Sequence, residues 1–134
     1  MTTLALIIAT VYWITAPTAV CSWYGESWNG NLTASGTVYD CSQISCAHKT
    51  LPLGTVIRFY NGAEWLDCRV EDRGPYVTGR DFDLSTAAFD SLADLDDGVV
   101  TLRYRILYRD TQDLLYNLGE FDEGACERER LDRW

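Results

Sequence analysis

Apolar and polar residues alternate with period two over two stretches of this chain. Thr55–Tyr60 (TVIRFY) and Gly98–Arg109 (GVVTLRYRILYR) both read as half-buried strands. Asn61–Gly62 follows the first directly. Asn-Gly between apolar runs predicts a hairpin, because both residues tolerate positive φ. Glu64–Glu71 (EWLDCRVE) is then the returning strand, ended by the turn DRGP. Ser85–Asp94 (STAAFDSLAD) changes to helical spacing, with Ser85 as N-cap and Ala88, Phe89 and Leu92 on one face. Ser22–Gly36 (SWYGESWNGNLTASG) is punctuated by Gly, Asn and Ser and reads as loop and short strand. Short strands with one short helix, and no internal repeat, predict a mainly β fold closed into a small barrel.

The two ends have a different pattern. Residues 1–20 carry no charged side chain, and an apolar run from Leu4 to Ile14 precedes small residues and Pro17. This reads as a secretory signal peptide cut near Ala19 or Val20, although it has no Lys or Arg at its start. A retained N-terminal anchor is the second reading, with a run short for a bilayer span. A buried first strand over Leu4–Val11 is the third. Residues 110–134 form an acidic, mixed-charge extension in which TQDLLYNLGEF predicts a short helix and ERERLDRW a solvated end. The expected division is therefore 1–20, 21–109 and 110–134.

Length and charge narrow the function. The 134 residues favour one domain, and an apolar fraction of 47% suffices for a core. A net charge of −9 argues against a duplex nucleic-acid partner and against docking on anionic lipid. It leaves neutral or weakly charged polymers such as glycans. The five cysteines show no CxxC spacing and His48 is the sole histidine, so neither a metal site nor another cofactor is expected. In an exported chain, one or two disulfides with one thiol left over is the expected arrangement.

Val70–Ser85 (VEDRGPYVTGRDFDLS) is the richest segment. It sets Glu71, Asp72, Asp81 and Asp83 among two arginines, two glycines and a proline. Together with SWYG (22–25), TASG (33–36), AHKTLPLGT (47–55), DRGPY (72–76) and GRDFDLS (79–85), in that order, it resembles the RlpA-like double-psi β-barrel family, related to expansins and barwin. The resemblance covers about Cys21 to Tyr108. It implies a six-stranded double-psi barrel with one or two short helices and a groove across one face. It also implies a monomeric, secreted or periplasmic lytic transglycosylase that cuts peptidoglycan strands lacking stem peptides. Expansin-like and barwin-like relatives imply a non-catalytic polysaccharide-binding or inhibitory module as the alternative.

By this resemblance Asp72 is the general acid and base. It protonates the glycosidic oxygen and then takes the proton of the muramic acid 6-hydroxyl, if burial or a neighbouring carboxylate keeps it protonated near neutral pH. Asp83 supports it across the groove, and His48 tunes it. Plainer roles stay open. Asp72 suits a turn residue, Asp83 a carboxylate at a helix entry, and His48 a tie for the following loop. Tyr76, Trp28 and Tyr24 are candidate sugar platforms, and Trp23 is expected in the core. Arg73 is expected to bridge Asp72 or Asp83, and Thr33 and Ser35 to contact substrate. The family often has an acid directly after TASG, where this chain has Thr37, and commonly Asn where it has Glu71. Alternation along a strand is expected to turn Glu71 away from Asp72. In such a barrel Cys46 and Cys68 fall near strand ends that come together and could pair, and Cys21 with Cys126 could staple the two ends of the domain. A Cys46–His48 nucleophile pair lacks an evident orienting group.

Overall fold

The computed structural model describes residues 2–108. Six strands form a closed barrel: β1 (Thr18–Tyr24), β2 (Cys46–His48), β3 (Val56–Tyr60), β4 (Trp65–Asp72), β5 (Phe82–Ser85) and β6 (Val99–Tyr108). Around the barrel they run β1-β5-β2-β4-β3-β6. The β1/β5 and β2/β4 pairs are parallel and the other four antiparallel, so the barrel is a mixed sheet without an open edge.

Alternation fills the interior. Ile57 and Phe59 of β3 point inward while their neighbours are half-buried. Phe82 sits at the centre, edge-on to Phe59 with ring centroids 5.1 Å apart and to Tyr104 at 5.6 Å. Val70, Leu84 and Leu102 complete this layer. Each large side chain so buried contributes about 1.5–3 kcal/mol. Helix α2 (Thr86–Asp90) adds Ala88 and Phe89 to the core, and Leu92 follows it. Ser85 caps α2 by accepting the Ala88 N–H at 3.3 Å, as expected. The helix is shorter than its pattern, however, and the chain re-forms a 3₁₀ turn at Leu95–Asp97.

The β3–β4 hairpin is also looser than a two-residue turn. Tyr60 pairs with Trp65, and the loop spans Asn61–Glu64. Asn61 Oδ1 accepts the N–H groups of Ala63 and Glu64, while Gly62 takes φ +106°. The side-chain acceptor takes the Glu64 N–H, while Asn61 N–H donates to the Glu64 carbonyl at 3.1 Å.

The N-terminal apolar run is a helix, α1 (Thr3–Ile14), and not a strand. It has no buried residue and is too short to cross a membrane. Its C-terminal end rests on the barrel. Trp13 stacks on Tyr60 with centroids 4.8 Å apart, and Arg103 donates to the carbonyls of Ile14 and Ala16. The barrel itself starts at Thr18, ahead of the expected boundary at 21, because Thr18–Val20 pair with Arg103–Thr101 of β6. Residues 110–134, including their expected helix and Cys126, lie outside the described residues.

The described cysteines are all free thiols, so the expected Cys46–Cys68 bond is not formed. Cys21, Cys46 and Cys68 are core residues. Burial, aided by the adjoining Cys68, pushes the Cys46 thiol well above its ordinary range. Sealed in the core, Cys46 cannot act as a nucleophile with His48.

Candidate functional site

The site forms where β2 is flanked by β4 and β5. Ala47 pairs with Asp72 on one side and with Asp83 on the other. The two aspartates therefore stand two strand spacings apart, about 10 Å between Cα atoms, with only a methyl group between them.

A β-bulge aims Asp72. Cys46 pairs with Val70, yet the next residue, Ala47, pairs with Asp72, so Glu71 is an extra residue in β4. Cys46 and Val70 face the core. Unbroken alternation would send Asp72 inward after Val70; the bulge turns it out to the groove instead. Its Oδ1 accepts two backbone N–H groups, from Ala34 at 3.0 Å and from Arg73 at 2.8 Å. The first ties the 33–37 loop to the end of β4. The second is the turn contact that the sequence left open, so Asp72 holds its turn and faces the groove together.

Asp83 is held differently. The buried Ser22, its register partner on β1, donates its hydroxyl to Asp83 Oδ1. Capping of α2 falls to Ser85, so Asp83 is not needed as the helix-entry carboxylate. Ser22 is a site residue that the sequence reading missed. Its one signal was its place in SWYG, next to the aromatics, and only the β1/β5 register sets it opposite Asp83.

Asp72 and Asp83 line a groove of about 490 Å³ together with Tyr24, Trp28, Thr33, Arg73 and Tyr76. Tyr76 is 84% exposed and Trp28 is 56% exposed. Both line the groove and stay open to solvent instead of packing in the core. Tyr24 packs against Tyr39 in a tilted arrangement with centroids 4.3 Å apart, and burial pushes its hydroxyl, beside Ser45, above the ordinary phenol range. Leu32, also on the lining and exposed, carried no signal in the sequence. Trp23 packs against the core, as expected, and donates Nε1–H to the Leu95 carbonyl.

Three expected residues sit elsewhere or act otherwise. His48 is absent from the groove lining. Its Nδ1 accepts the N–H groups of Thr50 and Leu51 at 3.1 and 3.0 Å, and its ring lies against Phe82. It ties down the loop that follows β2. Burial, with smaller contributions from the Arg73 and Lys49 charges, holds its pKa below the ordinary imidazole value, against an opposing pull from Asp81. Arg73 does not bridge either aspartate. It donates Nη1–H to the carbonyls of His48 and Leu51, at 3.2 and 2.7 Å, so it clamps the same loop while lining the groove. Ser35 lies in a separate cleft beside the groove, together with Glu71. Asp81 is exposed and accepts the Val20 N–H at 2.8 Å, securing the start of β1.

The family model described as lytic transglycolase matches residues 18–104. The chain is 41% identical over 88 residues to the probable endolytic peptidoglycan transglycosylase RlpA of Treponema pallidum, covering 64% of this chain and 28% of that one. It is 36% identical to the endolytic peptidoglycan transglycosylase RlpA of Vibrio cholerae, covering 64% and 34%. The chain thus spans about a third of the length of these relatives. Among solved structures it is similar to a Streptomyces papain inhibitor, with TM-score 0.54 and 28% identity, covering 67% of this chain and 94% of that one. It shares its fold with a Clavibacter michiganensis expansin at TM-score 0.58 and 14% identity, covering 70% and 51%.

Proposed function

The chain belongs to the RlpA-like lytic transglycolase family of double-psi β-barrels, and on that premise we propose that it cleaves peptidoglycan glycan strands in the cell envelope. The observation that carries this reading is the pair of carboxylates flanking Ala47 and lining one groove. Peptidoglycan transglycosylase is the activity named for the relatives in Treponema and Vibrio, of whose length the match covers 28% and 34%.

In the proposed reaction Asp72 gives its proton to the glycosidic oxygen as the C1–O bond breaks, and the departing sugar leaves as an alcohol. The 6-hydroxyl oxygen of the muramic acid then bonds to C1, closing a 1,6-anhydro ring, and its proton passes to the Asp72 carboxylate. The acid is restored and no water is consumed. Two backbone N–H groups fix Oδ1 of Asp72, which limits the carboxyl's rotation. Asp83, oriented by Ser22, supplies negative charge for the oxocarbenium-like transition state. Tyr76 and Trp28 offer faces on which the C–H surfaces of pyranose rings stack. His48 acts on Asp72 only indirectly, through the loop that Arg73 also grips. Residues 1–17, ahead of β1, serve as the leader or anchor for export, since a cut near Ala19 or Val20 would fall inside that strand. A cut ahead of Thr18 would leave β1 whole.

Purified protein incubated with amidase-treated peptidoglycan is expected to release 1,6-anhydro-muramoyl ends. Folded protein that releases none would sink the reading. One observation favours the second reading, a non-catalytic glycan-binding module: Thr37 offers a hydroxyl where an acid was expected. That module would be retained on insoluble glycan without forming product.

A further inference from the structure

Beside the groove lies a second cleft of about 380 Å³, which meets the groove at Ala34. The 33–37 loop forms the wall between them. It is clipped to the end of β4 twice, by Ala34 N–H on Asp72 Oδ1 and by Ser35 N–H on the Glu71 carbonyl.

The polar side chains at this wall form one connected cluster. The hydroxyls of Thr33, Ser35 and Thr37 make a triangle with sides of 2.8, 3.0 and 3.0 Å. Thr33 donates to the Thr37 carbonyl, and Thr37 donates to Glu71 Oε2 at 3.4 Å. The Ser35 hydroxyl has Thr33 and Thr37 to donate to. Each of the three O–H protons can thus be placed within the cluster. What the cluster leaves toward the cleft is acceptor capacity, hydroxyl lone pairs and the Glu71 carboxylate, while Arg69 on the same lining adds guanidinium N–H donors. Such a surface suits a ligand that carries both donors and acceptors, as the hydroxyl and amide groups of a glycan do. Leu53 and Gly54 add an apolar side chain and bare backbone on the lining, which suits the C–H face of a sugar ring.

The geometry points to a further saccharide subsite in this cleft, occupied by the part of a long glycan that continues past Asp72, with Glu71 and Thr37 accepting from its hydroxyl or amide groups. This inference rests on the glycan reading of the groove but not on catalysis there.

The test uses Asp72→Asn protein, to block turnover, and peptide-free glycan fragments of two and of eight sugars. Amide NMR shifts and affinities are followed for each. The long fragment is expected to shift the amides of Ser35, Thr37, Gly54 and Glu71, and the disaccharide to leave them unmoved. Glu71→Gln, or Ser35→Ala as a second variant, is expected to weaken the long fragment about tenfold, the worth of one or two hydrogen bonds. The disaccharide's affinity should stay unchanged. Shifts confined to groove residues at both lengths, equal weakening of both fragments, or no effect of either variant on the long one would overturn the subsite. If the wild-type protein forms no anhydro product, yet the long fragment still reaches these amides, the transglycosylase reading fails and the subsite stands.

Discussion

Ser22 on β1 donates its hydroxyl to Oδ1 of Asp83, its register partner on β5. Ser22 is 1% exposed, so this bond is sheltered from competing water. Ser22→Ala removes the donor and leaves the half-buried carboxylate underbonded. The expected loss of stability is about 1–3 kcal/mol, as for a hydrogen bond to a charged group. Turnover on glycan strands should fall more than KM rises, because the carboxylate's aim and not substrate contact is lost. Urea unfolding with parallel kinetics checks both; unchanged turnover would show that Asp83 does not need this support.

Asp72→Asn separates the two duties of Asp72. Asparagine keeps a side-chain oxygen to accept from Ala34 and Arg73, so the 33–37 loop and the turn stay in place. It cannot shuttle a proton. Anhydro-product formation should fall by about 10²–10⁴-fold, the usual worth of a general acid and base. Retention on insoluble glycan should hold. A variant still cleaving at near wild-type rate would remove Asp72 from the chemistry.

Gly74→Ala tests the backbone behind the site. Gly74 takes φ +127°, a region that L side chains rarely adopt. A methyl there would lie 3.8 Å from the Tyr76 ring and 3.9 Å from Asp83 Oδ2, so space is adequate and the cost is backbone strain. The expected destabilisation is about 1–3 kcal/mol. Chemical denaturation measures it, and an unfolding midpoint equal to wild type would contradict the argument.

Period-two patterning and turn chemistry made the strands and the barrel legible, and motif order made the groove legible. Local deviations stayed hidden. The bulge that turns Asp72 outward leaves no mark in RVED, because it arises from pairing with β2. Glu71, the extra residue of that bulge, lines the neighbouring cleft and not the groove that holds Asp72. The Glu71 carboxylate lies 3.4 Å from the Thr37 hydroxyl, so a carboxylate stands beside Thr37 after all, supplied by another strand. The resemblance implied a carboxylate partner for Arg73, yet two loop carbonyls claim it. At the Asn61–Gly62 turn the Asn61 side chain, in place of its own carbonyl, accepts the Glu64 N–H, while Asn61 N–H donates to the Glu64 carbonyl.

His48 gives the fold a pH dependence whose sign follows from its contacts. Nδ1 accepts from Thr50 and Leu51, which requires the unprotonated nitrogen. Burial first, then Arg73 and Lys49, lower its pKa in the folded chain, while Asp81 pulls the other way. In the unfolded chain the imidazole titrates near its ordinary value of about 6.5. As pH falls through that value the unfolded state takes up a proton that the folded state still refuses. Stability from His48 is therefore complete above about pH 6.5 and declines as pH falls toward the lower folded value. His48→Gln keeps a side-chain acceptor without the titration. Its unfolding free energy should fall less steeply than wild type between about pH 7 and pH 5, since the carboxylates are common to both. Denaturant titrations at several pH values give the two slopes, and equal slopes would mean that His48 protonates as readily in the fold as out of it.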